Sequence, residues 1–277
     1  MDRALASGAR GCAFESRRGY CRKEQLVSCW KPLVCLLVGW VLPVGGGCAG
    51  LSGPDPYRRL GPARDIVSAS VEWLGGYDTW GRLGPVRASA VVSIYDSNGQ
   101  AYVSRQQQTI DIHGGRLAAA AHTAQGPWTA TVHDSGRYDL GGSGVVFDRQ
   151  MQERICGELA TLLHRVRGPL NLLRGSEKVN SVERTRLGGE DVIRVAVDGS
   201  GGQAIAYYFE ATSGVLRYVT AGSERPGAEG TVTVYTYMML PNGMAFPRRI
   251  RVVETGENVV IGLRPVFEAE FTDVEVD

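Results

Sequence analysis

The side chains in the body of this chain that could do chemistry are few. His113, His122, His133 and His164 are all the histidines present. The first three could approach one another across adjacent short strands and so offer imidazoles to a metal. No Cys or carboxylate completes a ligand spacing, and His113 and His133 stand beside turns, so they read as ordinary, partly exposed residues. Two Gly-rich stretches, 141–144 (GGSG) and 199–202 (GSGG), could cradle a phosphate. Neither carries the lysine-Ser/Thr pair of a phosphate loop or opens a helix, and both read as hairpin turns. Ser143 lacks the last glycine of a nucleophile elbow, because position 145 is Val. Asp96 and Asp111 flank a hairpin, and nothing places them as an acid/base pair. Cys156 falls in a helical stretch with no base beside it and reads as a small apolar residue. These residues lead to the expectation of a noncatalytic protein with no metal site and no cofactor.

The elements around them are mostly strands. Residues 86–95 form a first strand, 96–99 a hairpin turn centred on Asn98-Gly99, and 101–112 the return. Neither face of 101–112 is apolar before Ile110, which predicts a strand near an edge or against a wet surface. Further short strands cover 116–124, 128–133 and 137–140. After a helical interval come 177–186, 191–198, 203–210, 215–220, 231–239, 245–252, 258–263 and 266–276, with a bulge near Thr272-Asp273. Strands at roughly ten-residue spacing, separated by Gly, Asn, Ser and Pro, imply a curved antiparallel sheet. Two helices interrupt them. In 62–74, Ile66, Val67, Ala69, Val71 and Leu74 recur at helical spacing after Pro62, and Gly75-Gly76 stops the run. In 147–173, Met151, Ile155, Leu159, Leu162, Leu163 and Val166 do the same, with Asp148 as the cap, Gly168-Pro169 as a break and a short turn at 170–173. Residues 77–85 read as a turn region. The strands before 147 lack enough large apolar side chains to bury a core alone, so both sets belong to one domain.

The N-terminal region differs in kind. Residues 33–44 (LVCLLVGWVLPV) are an apolar run of twelve after Lys31-Pro32, followed by Gly45-Gly46-Gly47-Cys48. A basic flank, a short apolar stretch and a small-residue cleavage zone make a secretory signal, with a buried core helix as the alternative. Residues 1–30 carry six basic side chains and no hydrophobic period. They read as a long basic lead or an overextended start, and the Cys12, Cys21 and Cys29 spacing does not suggest metal. Five of the six cysteines lie at or before Cys48 and only Cys156 follows, so no disulfide framework is available beyond it. Residues 48–277 carry 23 Lys/Arg and 26 Asp/Glu, a net charge of −3 with no footprint for nucleic acid. The expected organisation is an extension and signal at 1–48, a Gly/Pro linker at 49–61, and a single domain at 62–277.

The late hairpins carry a resemblance. Residues 207–216 (YYFEATSGVL) resemble a strand, an acidic-x-x-T-G turn and a return strand of bacterial lipoprotein-sorting-like proteins, the LolA/LolB-like superfamily, with Ser213 where those proteins usually have Thr. Residues 235–250 resemble their next hairpin through Gly243, Pro247 and Ile250. Residues 188–195 (GGEDVIRV) are similar to the strand before it. The order of helices and strands over 62–276 follows the same layout. The resemblance implies an α+β, mainly β fold: an incomplete, strongly curved antiparallel barrel covered by helices, carrying lipoprotein acyl chains or other apolar ligands and holding no catalytic residues. A Cys after a glycine cleavage zone also resembles a lipoprotein precursor, with Cys48 as the lipidated residue, although Gly45 stands where an aliphatic residue is usual.

The aromatic and Met side chains of 203–252 supply the candidate site. Tyr207, Phe209, Tyr218, Tyr235, Tyr237, Met239 and Phe246, with Leu159 and Leu163 from the central helix, are expected either to fill an ordinary core or to line an apolar pocket between sheet and helices. The functional expectation is a cell-envelope protein that binds a hydrophobic ligand or a lipoprotein partner, anchored to the outer membrane on the periplasmic side through lipid, or periplasmic. The alternative is a structural or protein-interaction module of the envelope that uses a sheet edge.

Overall fold

The computed structural model describes residues 55–142, 147–174, 178–199, 204–222, 230–256 and 260–276. The signal-like segment, Cys48, Ser143 and the 200–203 turn lie outside the described residues. The described chain is one antiparallel sheet with helices packed on one face, the mainly β, helix-covered architecture that the resemblance implies.

Its first five strands are β1 (Val86–Tyr95), β2 (Ala101–Asp111), β3 (Arg116–Thr123), β4 (Gly126–His133) and β5 (Tyr138–Gly142). The remainder are β6 (Val179–Leu187), β7 (Glu190–Asp198), β8 (Ala204–Glu210), β9 (Leu216–Gly222), β10 (Gly230–Met239), β11 (Ala245–Gly256) and β12 (Val260–Val276). Each hairpin pairs sequence neighbours, so the strands make two meanders. These join where the first strand pairs with the last, giving the order β5-β4-β3-β2-β1-β12-β11-β10-β9-β8-β7-β6. The sheet therefore stays open, with β5 and β6 at its ends. The chain between those two ends is helical: α3 (Arg149–Arg167) and α4 (Leu170–Arg174). Asp148 caps α3 by accepting the Met151 N–H. Helix α3 packs on β3, β4, β5 and β11, so the helix that links the edges also covers one face of the sheet.

At the N-terminus a 3-10 turn (Arg58–Ala63) leads into α1 (Arg64–Trp73), and the expected turn region holds a short α2 (Tyr77–Gly81). Leu60 is buried, and Tyr57 packs on the core. The described part of the linker is thus attached to the domain. The expected bulge is present: Arg87 pairs Glu275 and Ser89 pairs Thr272, and Asp273 between them has φ 48°. Residues 260–276 form one long strand, where two were expected.

Strand β2 corrects the expectation of an edge or wet position. It lies between β1 and β3, and Ser104, Gln106 and Gln108 are buried. Inward-facing Ala88 and Ala90 on β1 and Ala119 and Ala121 on β3 leave room for the longer polar chains. The chains bond to one another in a ladder: Gln106 Nε2 donates to Ser104 Oγ at 2.8 Å, and Gln108 Nε2 to Gln106 Oε1 at 2.7 Å, while Gln108 Oε1 has no partner among the described residues.

Candidate ligand-binding site

On the side facing the helices, alternate residues of the late strands enter one core. Phe209, Phe246, Phe267 and Phe271 are fully buried there with Ile155, Leu159, Leu162 and Leu163 of α3. The aromatic rings meet edge to face: Phe246 and Phe271 lie 5.4 Å apart at 84°, and Trp73 of α1 lies 5.1 Å from Tyr237 at 78°. Tyr235 and Tyr237 stack at 6.1 Å. Burial raises both of their hydroxyl pKa values, and the Tyr237 hydroxyl has no hydrogen-bond partner among the described residues. Arg165 lies over the Phe267 ring at 5.0 Å and pairs with Glu158 at 3.1 Å. Cys156 of α3 is buried, and its thiol is pushed up to about 11, first by burial and then by Asp139. It stays protonated and unreactive at neutral pH.

Of the candidate residues, Tyr207, Phe209, Tyr235, Phe246, Leu159 and Leu163 are brought together in this core, and Tyr237 packs against it. Two are placed elsewhere. Met239 is 62% exposed at the end of β10, and Tyr218 faces the opposite side of the sheet. The reason for the second is local. A register shift between Tyr208 and Phe209 lies where β8 pairs with β9, and it puts Tyr218 opposite Tyr208, on the far face from Phe209. The histidines do not meet: no group of three metal-ligating side chains occurs among the described residues.

That opposite face carries a second, smaller core of Leu187, Val192, Ala206, Tyr208, Tyr218, Val232 and Val253, with Val234 and Ile261 packed on it. Strand β8 is therefore buried on both sides, Tyr207 and Phe209 one way, Ala206 and Tyr208 the other. Two features curl the sheet over this face. Register shifts on either side of Val253 bend the β11–β12 hairpin. The two-residue β6–β7 turn is Gly188-Gly189, with φ of 60° and 86°, as a tight hairpin of that length requires. A Cβ on Gly188 would lie 3.2 Å from both the Ile261 side chain and the Tyr218 hydroxyl, so the turn approaches β12 across four intervening strands. Tyr218 is tied down by donating to Glu190 Oε2 at 3.1 Å; burial, then Glu190, raises its pKa.

Between these walls lies a cavity of about 690 Å³. Its walls include Leu187, Tyr208, Ile261 and Arg194, the last paired with Glu183 at 2.9 Å. Its floor is made of residues with little or no side chain. Ala204 pairs Gly222, Gly222 pairs Gly230, and Ala206 pairs Thr220, so small residues are aligned across three strands. Thr185, Thr220, Thr231 and Thr255 add hydroxyls. A concave, mostly apolar hollow of this volume with a few polar groups has the form of a small-molecule site. Sequence reading passed over it because Ala, Gly and Thr carry no chemical signature. The available signal was that Ala204, Ala206, Gly222 and Gly230 fall in register once the hairpins are paired.

Among the described residues no helix is long and apolar enough to cross a membrane. No protein-family profile and no curated protein sequence matches the chain. Several solved structures are similar to it, two of them as follows. One is a LolA superfamily protein from Nitrosomonas europaea, 10% identical with a TM-score of 0.47, the match covering 77% of this chain and 92% of that one. The other is a domain described as an outer membrane lipoprotein-sorting protein of Vibrio parahaemolyticus, 8% identical with a TM-score of 0.46, covering 80% and 94%.

Proposed function

We propose that this protein is a noncatalytic binding module of the bacterial cell envelope that takes an apolar ligand or an acyl chain into the cavity on the second face of its sheet. The observation that supports the reading is the cavity of about 690 Å³, floored by aligned Ala and Gly and walled by Leu187, Tyr208 and Ile261. In this reading the tightly filled side, with Tyr207, Phe209, Tyr235, Phe246, Leu159 and Leu163, is the rigid support of the cavity floor and not its lining. Binding is driven by removal of apolar surface from water, worth roughly 25 cal/mol per Å² before the costs of association. Export, and anchoring through a lipid on Cys48, rest on the signal-like pattern of 31–48.

The test is a fluorescence titration with the uncharged probe N-phenyl-1-naphthylamine on the wild-type protein and on Ala206→Phe, whose ring would occupy the cavity. Saturable one-site binding that the variant loses, with near-ultraviolet circular dichroism unchanged, is the expected result. Absence of binding, or binding indifferent to the substitution, would leave the interaction-module reading in its place. Native mass spectrometry of protein extracted from membranes tests the anchor separately: a mature terminus other than Cys48, without acyl mass, removes it.

A further inference from the structure

A second hollow lies far along the chain from that cavity and has a different chemistry. It occupies about 220 Å³ between α2, the end of β2 and α4. Its floor is buried and apolar: Trp80, Ile112, Leu170 and Leu173. The Trp80 indole is already used, donating to the Leu74 carbonyl at 3.1 Å, so the ring presents only its apolar surface. On the exposed rim stand His113 and Arg174.

The rim is held by a chain of hydrogen bonds. His113 Nε2 lies 2.6 Å from the Trp80 carbonyl oxygen, which can only accept, so Nε2 carries the proton. Nδ1 is then the bare nitrogen, and it accepts from Arg174 Nη2 at 2.8 Å. Arg174 Nη1 donates to the Ile112 carbonyl at 2.6 Å. The same carbonyl oxygen accepts Nε and Nη2 of buried Arg167, at 3.1 and 2.7 Å. Two guanidinium groups thus converge on one neutral oxygen. The carboxylate beside them, Asp134, pairs with Arg167 at 2.7 Å and stands 3.8 Å from His164. Asp111 is engaged by the Gly114 N–H at 2.7 Å. Among the described residues Arg174 has no carboxylate within ion-pair distance, and its remaining N–H groups make no hydrogen bond. Among the described residues the site therefore has a guanidinium held in place by two hydrogen bonds, with no carboxylate paired to it, at the edge of an apolar hollow.

We propose that this hollow binds a carboxylate carrying one apolar group, with the carboxylate on Arg174 and the apolar group against Trp80, Leu170 and Leu173. Guanidinium favours a planar carboxylate as partner. At about 30 Å³ per water, the hollow holds the equivalent of roughly seven waters, enough for one aliphatic side chain and too little for a long acyl chain. The same chemistry is offered by the C-terminal residue of a peptide and by a free short-chain acid. His113 acts as the splint that orients Arg174.

The experiment is a ¹H–¹⁵N NMR titration of the whole domain, following the Trp80 indole N–H, with N-acetyl-leucine, N-acetyl-leucinamide and 4-methylpentanoate. N-acetyl-leucine is expected to shift that resonance saturably, and the amide to bind at least about 10-fold more weakly for want of the charge-assisted pair. A matching response to 4-methylpentanoate would identify free acids as ligands, and none would identify peptide C-termini. Arg174→Gln is expected to lose the response and Arg174→Lys to keep part of it, while Arg167 still holds the Ile112 carbonyl and the fold. Equal response to the acid and its amide, or no response to either acid, overturns the proposal without recourse to a variant.

Discussion

The two faces of strands β6–β12 use similar residues to opposite ends. On the face beneath α3, large side chains from the strands meet large side chains from the helix, and Phe209, Leu159 and Leu163 are fully enclosed. On the other face, Tyr208, Tyr218, Leu187 and Ile261 stand around Ala204, Ala206, Gly222 and Gly230. The first arrangement fills space and the second leaves a half-open hollow. A cluster of aromatic residues therefore does not mark a pocket. What opens one is a set of small residues brought into register across neighbouring strands, with bulky ones at its margin.

Substitutions can break this contrast. Phe209→Ala should cost about 4 kcal/mol, because the ring is enclosed and its neighbours cannot collapse into the space. Urea denaturation measures it, and naphthylamine binding per folded molecule should be unchanged. A cost below about 1 kcal/mol would show that the helix-covered face is not tightly filled. Next in size is Tyr218→Phe, which removes a hydrogen bond to a carboxylate and should cost about 1.5 kcal/mol in the same assay. Ala206→Phe should change stability by less than about 1 kcal/mol, since its ring enters open space. A large loss of stability there would mean that the second face is packed like the first.

The smallest expected effect concerns acid. Burial lowers the His164 pKa below its ordinary 6.5, against the pull of Asp134 and with a smaller contribution from Arg167. With the folded value depressed, the unfolded chain binds the proton first as pH falls. The contribution of His164 is complete above pH 6.5 and is lost as pH drops through the folded value. Thermal midpoints between roughly pH 7 and pH 5 should fall less steeply in His164→Gln than in the wild type. The side chain is 53% exposed, so solvent screening keeps this effect slight.

Much of the architecture was legible from local rules. Period-two alternation located β1, β2 and the late hairpins to within a few residues, Asn98-Gly99 fixed a turn, and Asp148 fixed the start of α3. The helix-facing candidates were recognisable as one cluster because bulky apolar residues at those periods must share a buried face. Three features were not legible. Gln106 and Gln108 looked exposed because a polar side chain gives no sign that a ladder partner will hydrogen-bond to it. Tyr218 looked like a neighbour of Phe209 until the shift between Tyr208 and Phe209 separated their faces. The hollow under Arg174 depends on α2, β2 and α4, which lie far apart in the chain.

The sequence alone determined most of the strands, their order and the apolar faces of α1 and α3, because those follow from backbone preference and from the spacing of side chains along one segment. It also established the absence of the common catalytic signatures, since such motifs depend on fixed local spacing. Tertiary structure decided which face of the late sheet is filled and which is hollow. That outcome depends on register between strands, on bulges that bend the β11–β12 hairpin and on the approach of Gly188 to Ile261, and each is a relation between segments that no single segment carries.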